Sequence, residues 1–130
     1  LSATSSKLAM PMVRVATNVE MANISDDFEV KLTEVLHESM GKPRERIMIE
    51  IDGGRRLMYG AKPGPGCQIS IKSIGCLGDQ MNIRHSAKVC DFIQKELGVP
   101  KDKILIEFSD LSAHQVGFNG TTVAEELAKR

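Results

Sequence analysis

The sequence predicts an α/β domain: two repeated βαβ units that form a mixed four-stranded sheet with two helices on one face. Three observations carry this. The stretch "MGKPRERIMIEI", from Met40 to Ile51, returns as "LGVPKDKILIEF", from Leu97 to Phe108. A helical pattern precedes each copy, and a further strand-like segment precedes each helix.

The elements follow in order. "MVRVATN", Met12 to Asn18, reads as the first strand. Ser25-Asp26-Asp27 offers an N-cap with acidic residues in the first turn. Phe28, Leu32, Val35, Leu36 and Met40 then recur at helical spacing up to the stop at Gly41. After Pro43, Ile47, Ile49 and Ile51 alternate with Met48 and Glu50, as on a strand with two different faces. "DGGRR" and "GAKPGPG" are loop material. "QISIKS", Gln68 to Ser73, opens the second unit. Its helix runs from about Asn82 to Leu97, with Ser86, Val89, Cys90, Ile93 and Leu97 on one face and Gly98 after it. Ile104, Ile106 and Phe108 then alternate with Leu105 and Glu107. In both units Gly-x-Pro ends the helix, because proline cannot continue it. The second sheet face mixes Met48 and Leu105 with Glu50 and Glu107, a half-apolar surface of the kind another subunit covers.

A chain of 130 residues is one domain's length and buries a sizeable core without a metal or disulfide staple. The 17 basic and 17 acidic side chains cancel, which argues against binding nucleic acid through phosphate attraction. With four Phe, one Tyr and no Trp, there is little from which to build base-stacking platforms. Cys67, Cys76 and Cys90 form no C-x-x-C pair and suit a reduced compartment. His37, His85 and His114 lack metal-ligand spacing, so neither a metal site nor a cofactor is expected. No apolar run approaches membrane-spanning length. Residues 1–10 read as a polar leader rather than a secretion signal, foreign or upstream of a single domain over 11–130. "NG" at Asn119-Gly120 reads as a turn.

Four short pieces now stand in a distinctive order: "PMVRVATNV" from Pro11, "GKP" at Gly41 to Pro43, "SIG" at Ser73 to Gly75, and "VGFNGTT" at Val116 to Thr122. In that order, on this repeat, the chain resembles the macrophage migration inhibitory factor and D-dopachrome tautomerase family. "RHSAKVCDFIQKEL" and "KDKILIEF" look closer to the D-dopachrome tautomerase branch. The resemblance implies a homotrimer, a small carbonyl or enol substrate, and a keto–enol tautomerase whose base is an amino-terminal proline. It also implies a cytokine-like role with a cell-surface receptor as partner, in the cytoplasm or secreted without a signal peptide.

Carried residue by residue, the resemblance makes Pro11 the catalytic base. A terminal amine has a pKa of ~8, and an apolar pocket or nearby cations lower it further. Neutral, it takes a proton from the carbon beside a carbonyl and returns it elsewhere. An internal proline nitrogen is an amide, so Pro11 acts only if residues 1–10 are removed, as Met10 fits a trimmed initiator. The plain structural alternative is a strand-leading proline placed where no ladder donor is needed. Lys42 replaces Val99 of the other copy. It is either a solvated charge or, as the resemblance implies, a cation that binds a substrate carboxylate or steadies an enolate oxygen and helps keep Pro11 neutral.

Ser73 and the Ile74 backbone N–H match the family's substrate-contacting segment, or else simply end a strand. Met12 and Arg46 join the expected pocket, although Arg46 also reads as a solvated strand-start charge, like its counterpart Lys103. Where the cytokine branch carries a tyrosine from a neighbouring subunit, an asparagine beside it and a C-terminal tryptophan, this chain has Leu105, Glu107 and Phe118. Those changes alter substrate preference. The branch's C-x-x-C falls on Gly66 and Ile69, so thiol oxidoreductase chemistry is not carried over and Cys67 reads as a buried small hydrophobe. Besides the tautomerase, a receptor-binding cytokine mimic with little or no activity and a binding domain without chemistry also fit the residues.

Overall fold

A computed structural model describes residues 10–129; residues 1–9 of the leader, and residue 130, lie outside the described residues. The chain runs β1 (Met12–Thr17), α1 (Phe28–Met40), β2 (Met48–Asp52), β3 (Cys67–Ser73), α2 (Asp79–Leu97) and β4 (Ile104–Asp110). It closes with the short strands β5 (Gly117–Phe118) and β6 (Thr121–Thr122) and a last helix, α3 (Val123–Ala128). The four long strands form one sheet in the order β2-β1-β3-β4. Within each unit the strands are parallel, Met12 pairing with Met48 and Cys67 with Ile104. The units meet at the central antiparallel pair β1–β3, where Met12 faces Lys72. The mixed four-stranded sheet is as expected.

Strand alternation separates core from open face. Val13 and Val15 of β1 and Ile69 and Ile71 of β3 are buried against Phe28, Leu32 and Leu36 of α1 and Val89 and Ile93 of α2. The Phe28 and Phe92 rings join the two helices at a centroid distance of 5.4 Å. On the other face Met48 and Leu105 stay exposed, at 66% and 53%, beside exposed Glu50 and Glu107. Arg14 on that face lies 2.7 Å from Asp52 and 3.5 Å from Glu50.

Both helices begin elsewhere than the sequence suggests. α1 starts after Asp27, not at a Ser25 cap, because the Ser25 hydroxyl is engaged by the Asp27 carboxylate at 2.7 Å. α2 starts at Asp79, about three residues early. Asn82 lies inside its first turn and accepts the Gly78 N–H through its side-chain oxygen, at 3.2 Å. The buried stripe of α2 is His85, Val89, Ile93 and Leu97, so a histidine occupies the core position assigned to Ser86, which is half-buried like Cys90.

The helix ends repeat each other. Gly41 and Gly98 adopt left-handed φ of 68° and 69°, and each donates its N–H at 3.0 Å to the carbonyl four residues back, on His37 and Gln94. A side chain there is strained, so glycine is the natural stop. The C-terminal hairpin confirms the Asn-Gly turn: Asn119 and Gly120 have φ of 56° and 82°, with Phe118 paired to Thr121. Thr122 caps α3 by accepting the Glu125 N–H at 3.1 Å. No helix among the described residues is long and apolar enough to cross a membrane.

Candidate functional site

Parallel pairing within the first unit brings the end of α1 back to the start of β1. The Met48 N–H donates to the Pro11 carbonyl at 2.9 Å, which ties Pro11 to the strand entered through Gly41-Lys42-Pro43. Antiparallel pairing with β3 brings Ser73 to the same sheet end, one rung beyond the Met12–Lys72 pair and therefore across from Pro11. The Leu111 N–H donates to the Ser73 carbonyl at 2.8 Å and so draws in the C-terminal segment. Pro11, Lys42, Ser73, Ile74, Val116 and Phe118 thus converge on one end of the sheet, although they are far apart in sequence.

This end has a small apolar cluster of its own, formed by Ile74, Val116 and Val123. Met10, Met12, Leu111 and Phe118 pack around it. Beside the cluster opens a cavity of ~410 Å³ lined by Met10, Met12, Arg46, Met48, Val116 and Phe118, among others. The Arg46 guanidinium sits over the Phe118 ring, 5.1 Å from its centroid, so it is held on the cavity wall rather than left in solvent. Its repeat counterpart Lys103 does the same, with its ammonium 5.2 Å from the Tyr59 ring centroid. The expectation of a solvated Lys103 is corrected accordingly.

Lys42 is fully buried, as is Val99 in the other copy, so it is not a solvated surface charge. Its carbonyl lies 2.6 Å from Nδ1 of His37 in the last turn of α1, which pins the segment that carries it. The Ser73 hydroxyl is also buried, and it has no hydrogen-bond partner among the described residues. Pro11 itself is buried. Met12 and Arg46 line the cavity directly, with Phe118 as its aromatic wall. Pro11, Lys42, Ser73 and Ile74 lie at the same sheet end without lining it. Met10 occupies the ground between, reaching both the cavity and the Ile74 cluster.

Glu107 is not brought here within one chain. It pairs with Ser70, three residues along the strand from the Ser73–Asp110 rung, or ~10 Å away. It lines a separate open-face hollow of ~330 Å³ with Arg14, Gln68 and Leu105. Cys67 is 1% exposed, and burial pushes its thiol up to about 12, as befits a small core hydrophobe. Cysteines 67, 76 and 90 are all free thiols.

Sequence reasoning missed two features near the site. Met10 as a cavity wall gave no signal, since it preceded the recognisable domain. His85 is fully buried, with Nε2 2.8 Å from the Cys76 carbonyl in the turn that follows Ser73 to Gly75. Its position four residues before Val89, on the apolar stripe, was the available clue.

Residues 10–124 match the family model described as macrophage migration inhibitory factor. The MIF-like protein mif-2 of Caenorhabditis elegans is 57% identical over 120 residues, covering 92% of this chain and all of that protein. D-dopachrome decarboxylase-B of Xenopus laevis is 36% identical over 115 residues, 88% of this chain and 98% of its own. Among solved structures, the macrophage migration inhibitory factor of Trichinella spiralis superposes with a TM-score of 0.83 at 29% identity, covering 85% of this chain and 98% of that one. With its fold, repeat and sheet-end cluster in place, the chain belongs to the macrophage migration inhibitory factor family.

Proposed function

We propose that the protein is a keto–enol tautomerase acting on D-dopachrome- or phenylpyruvate-type substrates, with the amine of Pro11 as base once residues 1–10 are removed. The observation that carries this reading is the buried Lys42. The domain repeats its turn with an apolar valine, so packing of the turn alone does not call for a cation at the equivalent position, and another task does. At the sheet end shared with Pro11 that task is electrostatic: to favour the neutral amine and to stabilise an enolate oxygen as it develops. Removing Met10 frees the nitrogen and empties volume between Pro11 and the cavity. Arg46 supplies a cation for a substrate carboxylate, Phe118 and Met12 supply apolar walls, and the Ile74 N–H supplies a backbone donor.

The half-apolar open face supports a homotrimer, in which Leu105 and Glu107 of one subunit serve the site of the next. The deciding experiment compares turnover of D-dopachrome methyl ester by the chain as written and by one beginning at Pro11. Activity confined to the trimmed chain supports the amine as base. Equal activity, with the leader verified intact by mass spectrometry, removes Pro11 from the mechanism.

A second reading is favoured by the names of the relatives, several of which are called migration inhibitory factors. In it the protein is a receptor-directed, cytokine-like factor and its pocket is secondary. A pocket-blocking small molecule that abolishes turnover and leaves receptor binding intact separates the two roles.

A further inference from the structure

The Ser73 hydroxyl is an orphan: fully buried, and without a hydrogen-bond partner among the described residues. Such a group costs free energy, and each case in a native fold calls for an explanation. The register supplies one. Ser73 lies across the antiparallel β1–β3 ladder from Pro11, one rung beyond Met12 and Lys72, where facing Cα atoms stand ~4.5–5.5 Å apart. Strand alternation turns both residues to the helix side, in phase with buried Val13 and Val15 on β1 and buried Ile69 and Ile71 on β3. Both backbones are anchored from outside the pair, Pro11 by the Met48 N–H and Ser73 by the Leu111 N–H. The nitrogen of an internal proline is an amide with no N–H and no basic lone pair, so in the chain as written it offers the hydroxyl nothing. At the head of the chain the same nitrogen becomes a secondary amine with both.

We infer that Ser73 is a positioning residue whose Oγ accepts a hydrogen bond from the Pro11 N–H, fixing the amine so that its remaining lone pair faces the substrate. The inference rests on the proposed role of Pro11 as base. It assigns Ser73 a partner within the protein rather than a contact to substrate. The protonated amine has two N–H donors and binds a hydroxyl oxygen more strongly than the neutral amine does. The bond therefore raises the amine's pKa, in opposition to the nearby cation.

The test uses chains beginning at Pro11, labelled with 15N-proline, and follows the amine titration by NMR beside the pH profile of D-dopachrome methyl ester turnover. Ser73→Ala is expected to lower the amine pKa by roughly half to one unit. Ser73→Thr keeps the hydroxyl and is expected to keep the wild-type value. In the chain that retains residues 1–10, Ser73→Ala is expected to be neutral or stabilising, which also shows that the variant folds. Superimposable titrations of wild type and Ser73→Ala overturn the inference even if both turn over substrate. A shifted titration in a protein without turnover leaves the inference standing and removes the tautomerase reading.

Discussion

The hydroxyl of Ser39, near the end of α1, lies 2.6 Å from Nδ1 of His85 on α2, and both side chains are buried. The other ring nitrogen is 2.8 Å from the Cys76 carbonyl, which can only accept, so Nε2 carries the hydrogen and Nδ1 accepts from Ser39. One neutral imidazole thus ties two helices to the turn beyond Ser73. Burial holds it neutral by pushing its pKa below the ordinary 6.5; the Cys76 hydrogen bond opposes that shift, and nearby Arg84 adds to it.

Because the folded-state pKa is depressed, the unfolded chain binds the proton more readily. Stability is full above about pH 6.5 and falls as the pH drops towards the folded value. Urea denaturation should therefore show a more stable protein at pH 7.5 than at pH 5.5. His85→Leu should flatten His85's share of that dependence while costing about 1–3 kcal/mol at pH 7.5, since Ser39 and Cys76 lose their partner.

Lys42→Met keeps the aliphatic bulk and removes the charge. In chains beginning at Pro11 it should reduce kcat/KM by about 100-fold, the scale for losing one preorganised electrostatic contact. Circular dichroism should remain unchanged. Turnover at the wild-type level would show that the buried ammonium has no part in the reaction.

Arg46→Gln should raise KM for a carboxylate-bearing substrate such as phenylpyruvate more than for the neutral methyl ester of D-dopachrome. Phe118→Ala should raise both, because it removes the ring that holds the guanidinium as well as an apolar wall. Equal effects of Arg46→Gln on the two substrates would show that Arg46 does not read charge.

Gly41→Ala and Gly98→Ala place a methyl group in open space, since an added Cβ meets nothing within 4 Å at either position. The cost is that of the left-handed backbone alone, about 1–2 kcal/mol, and should be similar for the two. Thermal melts that differ markedly would show the two halves to be unequal in stability.

Leu105→Asp puts a charge on the exposed apolar part of the open face. Light scattering after gel filtration should find the wild-type chain trimeric and the variant monomeric but folded. A trimer that survives the change would place the subunit contact elsewhere.

The repeat made most of the fold readable, because helix, glycine stop, proline and alternating strand occur twice, and each copy checks the other. The helix starts were less legible. At Ser25 the capping side chain is diverted to Asp27, and at Asp79 the preceding glycine carries no side-chain signal. The polar position on the core stripe of α2 is His85 rather than Ser86; its spacing before Val89 was readable, but its burial depends on partners from other elements, Ser39 and Cys76. At the site, Pro11, Lys42 and Ser73 could be named because the resemblance fell on short contiguous motifs. The Arg46–Phe118 stack was not legible, because 71 intervening residues separate its members and only the C-terminal hairpin joins them. Glu107 was identified by position along its strand, but a single chain does not bring that strand segment to Pro11.

The two parallel pairs superimpose the halves of the molecule in register. Met48 and Leu105 are equivalent in the repeat and pair with Met12 and Gln68, so the place of Pro11 in the second half belongs to Cys67, and that of Lys42 to Val99. The second half therefore holds a filled copy of the candidate site, with a thiol and a valine, both at most 1% exposed. The molecule carries its own internal comparison: the same scaffold corner, differing at the paired positions Pro11/Cys67 and Lys42/Val99. Transplanting residues between the corners, rather than redesigning either, becomes the direct way to ask how little a structural turn must change before it can do chemistry.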